Sequence, residues 1–243
     1  MSDHEEFMKL RQNDVENIAN DKEIHSNALK FFIETTKYNY TYHFDWLGIP
    51  IIQYPQDIVA MQELVWKLKP DLIIETGVAR GGSLILYSSI LELIGKGEVL
   101  GIDIDIRTHN RNAIESHPMF KRITLIEGSS ISEETIIKVR KYVTDKEVIM
   151  VLLDSNHTHE HVIEELKLYS SFVTKGSYLV VFDTVIDDLP DNLVSNRTWG
   201  KGNSPKSAVH EFLKNHSEFE IDKSIQNKLL LTVAPDGYLK RIK

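Results

Sequence analysis

Glu75-Thr76-Gly77-Val78-Ala79-Arg80-Gly81-Gly82-Ser83 follows the apolar run Asp71-Leu72-Ile73-Ile74 and leads into an amphipathic pattern. A strand that ends in an acid and a glycine-rich turn, with a helix after it, is how an open α/β sheet makes room for a nucleotide-like ligand. Glycine serves there because a bare hydrogen lets the ligand approach the backbone and lets φ become positive. The spacing Gly-x-x-x-Gly-Gly differs from the Gly-x-Gly-x-x-Gly dinucleotide pattern, and no Gly-Lys-Ser/Thr of a P-loop is present. The turn therefore points away from NAD and ATP and toward the S-adenosylmethionine site of a methyltransferase-type sheet.

Outward from the turn, helical and strand-like segments alternate. Ile58, Met61, Leu64, Val65 and Leu68 share a helix face that stops before Pro70. Strands are predicted at Leu72–Glu75, Val99–Asp103, Arg122–Glu127, Val148–Asp154 and Ser177–Asp183, with helices after the first and from about His157. Continuous apolar runs such as Val148–Asp154 suit parallel strands covered on both faces. A long irregular stretch, about Thr184 to Ser204, leaves the sheet's carboxyl edge and is expected to act as a lid. Ser204-Pro205 then opens a helix. Extended segments at Phe219–Asp222, Lys228–Val233 and Tyr238–Ile242 are expected to close the sheet with a hairpin. The fold expected is a doubly wound, mostly parallel seven-stranded α/β sheet, Rossmann-like in the class I methyltransferase manner, with an N-terminal helical arm. Residues 1–48 form that arm and 49–243 the α/β domain. Within the arm, Tyr38, Tyr40, Tyr42, Phe44 and Trp46 nearly alternate, which predicts an extended segment that packs the arm onto the domain, with some rings facing a substrate pocket or a subunit contact.

Composition bounds the chemistry. A chain of 243 residues, 42% hydrophobic and 26% charged, can bury one full core. It has no cysteine, so any metal must be held by oxygen or imidazole. A net charge of −8 without a basic block argues against nucleic acid as a partner. No apolar run reaches the roughly 20 residues needed to span a membrane, and the acidic N-terminus lacks a signal-peptide layout. The expectation is a cytoplasmic protein that acts on a small molecule.

Acids recur at the predicted strand ends: Glu75, Asp103, Asp154 and Asp183. In an open sheet those ends converge on one crevice. Asp103 lies where a carboxylate can accept from both ribose hydroxyls, and Asp105, on the same side of an extended segment, could substitute. Ser129, in Gly128-Ser129-Ser130, sits where an adenine-contacting loop belongs. Asp154-Ser155-Asn156-His157-Thr158-His159-Glu160-His161 is the densest chemical segment. A His157–His161 zinc pair lacks a third ligand. A hard divalent ion on Asp154 and Asp183 suits the residues better, with His157 one turn away as base or substrate contact.

Pro50-Ile51-Ile52-Gln53-Tyr54-Pro55-Gln56-Asp57, Ile74-Glu75-Thr76-Gly77, Gly81-Gly82-Ser83, Gly101-Ile102-Asp103-Ile104-Asp105-Ile106-Arg107, Asp154-Ser155-Asn156-His157-Thr158-His159 and Val233-Ala234-Pro235-Asp236-Gly237-Tyr238 together resemble the cephalosporin hydroxylase family, whose relatives include rhamnosyl O-methyltransferases. The resemblance runs from about Tyr38 to the C-terminus. It implies a class I fold that binds S-adenosylmethionine, often with magnesium, and tends to form homo-oligomers. It matches the cofactor loop at Glu75, Gly77 and Gly81, the ribose acid at Asp103, and metal positions at Asp154 and Asp183; Thr76 and Ser83 in the same loop, and Asp154, are further candidate cofactor contacts. Metal-dependent relatives often carry two adjacent polar ligands after the fifth strand, whereas Phe182 precedes Asp183 here. The activity implied is methyl transfer to a hydroxyl of a sugar or secondary metabolite, with Asp154 and His157 at the reaction centre. The rivals are a catalytically silent cofactor-binding subunit and an oxygenase, as the family label suggests. Acceptor specificity is expected in the arm and in the lid residues Arg197, Trp199 and Lys201.

Overall fold

Ser2 opens the first helix, α1 (Asp3–Asn20), through a reciprocal capping box with Glu5, and Asp21 caps α2 (Lys22–Thr36). The structure, a computed structural model, describes residues 2–243. No residue of α1 is buried, and α2 buries only Phe32, whose ring stacks on Tyr54 at 4.8 Å. The chain then forms an antiparallel hairpin, β1 (Phe44–Trp46) with β2 (Ile49–Ile51). The aromatic segment is thus extended only from Phe44. Asn39 adopts a left-handed φ of 51° and starts a single 3₁₀ turn over Tyr40–Tyr42. That turn drives the Tyr40 ring between Phe44 (5.2 Å) and Tyr54 (5.6 Å), so the aromatics do pack the arm onto the domain.

The α/β alternation follows: α3 (Pro55–Leu68), β3 (Leu72–Thr76), α4 (Gly82–Ile94), β4 (Glu98–Asp103), α5 (Thr108–Glu115), β5 (Ile123–Glu127), α6 (Glu133–Val143), β6 (Ile149–Leu153), α7 (His159–Tyr169), β7 (Tyr178–Val181), α8 (Asp191–Val194), α9 (Pro205–Phe212), β8 (Phe219–Ile221), α10 (Lys223–Leu229) and β9 (Tyr238–Arg241). The main sheet has seven strands in the order β5-β4-β3-β6-β7-β9-β8. Strands β3 to β7 are parallel, while β9 runs antiparallel to both β7 and β8. Every residue of β3, β6 and β7 is buried, as a sheet covered on both faces requires. Alternate residues feed two cores, Ile73 and Met150 on one face and Leu72, Ile74 and Val151 on the other. The chain steps outward from β3 through β4 to β5 and then returns to β6 on the other side of β3. This reversal opens a crevice at the carboxyl ends of β3 and β6.

Two expectations need correction. Lys228–Val233 is not a strand. Asp222 caps α10 by accepting from the Ser224 amide, and Ile225 and Leu229, four apart, turn one buried face inward, so helix takes the residues up to Leu229. The terminal antiparallel pair is β8–β9, with α10 between. The helix expected from His157 begins at His159, because the Asn156 side chain accepts from the Thr158 amide and holds the preceding residues in a turn. The stretch expected to act as a lid carries structure of its own. A 3₁₀ turn over Thr184–Asp188 places Asp187 to accept from the Gly202 amide (2.7 Å) and the Ser204 hydroxyl (2.8 Å).

Candidate active site

At the end of β3 the backbone leaves the sheet through Gly77 (φ 94°) and re-enters a helix through Gly81 (φ 90°). A Cβ on Gly77 would lie 2.1 Å from the Asp154 carbonyl oxygen, and one on Gly81 would lie 2.4 Å from the Ile114 side chain. The turn and the loop after β6 are therefore in backbone contact, which only glycine permits. Asp103 holds the turn from the neighbouring strand. Its Oδ2 accepts from the Val78 amide (2.8 Å) and the Ala79 amide (3.3 Å), and its Oδ1 accepts from the Asp105 amide (3.1 Å). A carboxylate has about four acceptor positions, so Asp103 can shape the turn and still receive hydroxyl donors.

Burial and crowding set the charge state of the acids. Glu75 is 1% exposed and accepts from the Ser83 hydroxyl at 2.8 Å. Burial pushes its carboxyl up to about 8, the Ser83 bond opposes the rise, and the charge of Asp103 adds to it. Burial, then the charges of Asp183 and Glu75, also raise Asp154 well above the usual carboxylate range. No lysine or arginine pairs with Glu75, Asp103, Asp154 or Asp183 among the described residues; the ion-pair partner of Asp183 is His157, with Nε2 3.3 Å from Oδ2. Arg80 also lines the cleft, but it meets His109 and none of these acids. A crevice whose carboxylates have no lysine or arginine partner is chemically suited to a cationic ligand.

The raised Glu75 gives a signed pH dependence. Between about 4.5 and about 8 the folded state holds a proton there that the unfolded chain releases. Stability of the ligand-free protein is therefore expected to fall as pH rises through that window. Denaturant titrations of Glu75→Gln should show a shallower slope, and an unchanged slope would remove Glu75 as its source.

Asp154, His157 and Asp183 each offer one donor atom, and the three atoms lie within 4.8 Å of one another. Asp154 projects from the end of β6, His157 from the turn before α7, and Asp183 follows β7 in a left-handed conformation (φ 56°) that Asp tolerates better than most residues. Phe182 turns into the core at 2% exposure, so only its successor faces the site. The donor set of two carboxylates and one imidazole fits a divalent cation. The third donor was legible in the sequence only as a neighbouring base.

The remaining candidates divide. Thr76 is buried in the strand, with its hydroxyl unpartnered. Asp105 stands exposed, 3.9 Å from Arg107, and only its amide joins the site. Ser129 caps the loop through its carbonyl, which accepts from Ser132, while the neighbouring Ser130 is the buried member, with Oγ 3.1 Å from His161 Nε2. His161 thus faces Ser130 and Glu165 rather than His157, and the zinc pairing does not form. Sequence reasoning missed Glu165, which is fully buried and accepts from Ser155 at 2.7 Å. Its only signal was an acid on the otherwise apolar face of α7.

A cavity of about 330 Å³ opens between arm and lid, with Phe32, Tyr40, Tyr54, Leu189, Trp199 and Asp183 in its wall. The Trp199 ring meets His157 edge-on at 5.5 Å, and Arg197 lies over Trp199 at 5.3 Å. Lys201 does not reach this cavity. The Gly200–Asn203 bridge turns it outward to a surface groove beside Asp187 and Asp188.

Comparison with known proteins identifies the family and the fold. The profile of the family described as rhamnosyl O-methyltransferase/CmcI matches residues 38–242. A rhamnosyl O-methyltransferase of Mycobacterium leprae is 29% identical over 199 residues, covering 81% of this chain and 82% of the relative. A protein of the same name from Mycobacterium tuberculosis is 29% identical over 204 residues, covering 81% and 77%. Among solved structures, a CmcI structure with Mg and SAM superposes with a TM-score of 0.58 at 18% identity, over 83% of this chain and 78% of the other. MycE, a methyltransferase of mycinamycin biosynthesis solved with Mg, SAH and mycinamycin VI, gives 0.52 at 17% identity, over 87% of this chain and 53% of the other. These likenesses show the fold; the profile match, over most of the sequence, shows that the chain belongs to the rhamnosyl O-methyltransferase/CmcI family.

Proposed function

We propose that this chain transfers the methyl group of S-adenosylmethionine to a hydroxyl of a sugar or secondary metabolite, at the meeting point of the glycine-turn cleft and the arm–lid cavity. One observation carries the reading. Asp154 lines the cleft, Asp183 lines the cavity, and their donor atoms lie within 4.8 Å of each other and of His157. A donor in the cleft and an acceptor in the cavity would meet at that point. Membership in an O-methyltransferase family and relatives named as rhamnosyl O-methyltransferases support the same activity. So do fold neighbours described with Mg and SAM or SAH.

S-adenosylmethionine supplies a methyl group on a sulfonium. Asp154 and Asp183 would hold a divalent ion such as magnesium, which would supply Lewis acidity at the reaction centre. The chain's own residues bind, align and move the proton. Gly77 and Gly81 let the backbone approach the nucleoside, with Glu75, Thr76 and Ser83 forming the floor of the turn and Ser129 the adenine side. Asp103 accepts from the ribose hydroxyls, a role Asp105 is too exposed to share. Displacement at carbon needs oxygen, methyl and sulfur in line, so much of the rate comes from how rigidly cleft and cavity hold their ligands. His157 takes the proton of the acceptor hydroxyl, and Asp183, 3.3 Å away, stabilises the resulting imidazolium.

The test is incubation with labelled donor and a panel of glycosylated and phenolic acceptors, with and without magnesium. Release of S-adenosylhomocysteine with at least one acceptor is expected. Donor binding without release on any acceptor would favour a silent subunit, and aerobic iron-dependent turnover would favour an oxygenase. Asp103→Ala should weaken S-adenosylhomocysteine binding by about tenfold or more, since it removes charge-assisted bonds to the ribose and unties the turn. Unchanged calorimetric affinity would remove Asp103 from the donor site. We further read the enzyme as cytoplasmic, where its donor is made, and as a homo-oligomer. Phe7, Met8 and Leu10, exposed on α1, support the second point, and no helix is long and apolar enough to cross a membrane among the described residues.

A further inference from the structure

Gln53 follows β2 and lies at 6% exposure, yet its side-chain carbonyl oxygen is buried with no hydrogen-bond partner. Its backbone is already committed, the amide donating to the Thr41 carbonyl at 3.1 Å. Leaving a buried amide oxygen unpaired costs free energy that the protein could avoid with leucine or methionine. Such a group is most simply explained by a partner that arrives with a ligand. The side chain lines the same narrow cleft as Glu75, the Gly77–Ser83 turn and Asp154. The segment that carries it sits directly on that turn: a Cβ on Gly82 would lie 2.3 Å from the Pro50 carbonyl oxygen.

We infer that the Gln53 side-chain amide binds the α-amino-acid end of the methyl donor. The inference rests on the donor-site reading above and adds a residue and a chemical group to it. Asp103, which takes the ribose, does not line this part of the cleft, so the rest of the donor, its sulfonium and amino acid, falls to the part where Gln53, Glu75 and Asp154 meet. Two of these side chains are acids suited to positive charge. Neither can donate to a carboxylate while ionised. A primary amide offers one acceptor and two donors, and so can accept from an ammonium and donate to a carboxylate. The pairing satisfies the orphaned oxygen and adds an amide donor, beside Arg80 on the same wall, for the anionic end of a zwitterion.

Calorimetry on the full chain tests this with two probes. S-adenosylhomocysteine carries the amino acid; 5′-methylthioadenosine shares the adenosine and thioether but lacks it. Gln53→Leu should weaken S-adenosylhomocysteine on the order of tenfold to a hundredfold, the loss expected for a bond to a charged group, and leave methylthioadenosine within about twofold. The melting temperature of the ligand-free variant should rise or hold, because a buried unpaired oxygen is gone. Gln53→Glu, which keeps the size but repels a carboxylate, should reproduce the selective loss if leucine disturbs packing. Equal weakening of both probes, or no weakening of either, overturns the role of Gln53. Wild-type protein that binds neither probe overturns the donor site itself.

Discussion

Asp183→Asn is expected to lower methyl-transfer turnover by about 10²- to 10³-fold while S-adenosylhomocysteine affinity stays within about threefold. Asparagine keeps the size and tolerates the left-handed backbone found here, φ 56°, so the loss should not come from misfolding. What disappears is one of two carboxylates available to the ion, together with the charge beside His157 Nε2. Lewis-acid activation of an oxygen is worth several kcal/mol, and a 10²- to 10³-fold loss corresponds to about 3–4 kcal/mol at the transition state. Steady-state kinetics across a magnesium titration would show the variant needing more ion and still turning over slowly. Full activity of Asp183→Asn in a chelator would end the divalent-ion mechanism and leave His157 to be explained alone.

Gly77→Ala is expected to damage the fold as well as the site. Alanine at a positive φ costs about 1–2 kcal/mol. The added carbon would also meet the Asp154 carbonyl oxygen at 2.1 Å, so the β6 loop must move. A total near 2–4 kcal/mol is typical of forced overpacking joined to backbone strain. For a chain of this size that is a fall in melting temperature of about 5–15 °C. Donor binding should be lost in the molecules that remain folded, since Asp154 is the residue displaced. Thermal unfolding within 2 °C of wild type would show that the turn yields, and the close approach would lose its meaning.

The parallel core was legible because strands buried on both faces read as unbroken apolar runs, and because glycines and acids punctuate their ends. What was hidden depends on contacts between distant residues. The meeting of His157 with Asp183 is set by the register of β6 and β7 and by the turn before α7, neither of which leaves a periodic trace. The helix at Lys223–Leu229 was obscured because Leu229-Leu230-Leu231 looks like the start of a strand, while the signal that decides it, the Asp222 cap, is a single side chain. Asp103 was expected to face a ribose alone, and its bonds to the Val78 and Ala79 amides could not be anticipated from spacing. Gln53 stood in the sequence only as one residue of the Pro50–Asp57 string, and its burial against the glycine turn depends on how the hairpin packs there.

The lack of a lysine or arginine ion pair to Glu75, Asp103 and Asp154 among the described residues bears on what happens after the reaction. When the methyl group departs, the sulfonium becomes a neutral thioether, and the nucleoside left behind carries one positive charge fewer than the one that entered. Each carboxylate of the cleft that is ionised therefore attracts fresh donor more strongly than spent product by Coulomb's law. The surplus of carboxylates thereby biases exchange at the end of each cycle, without any moving part.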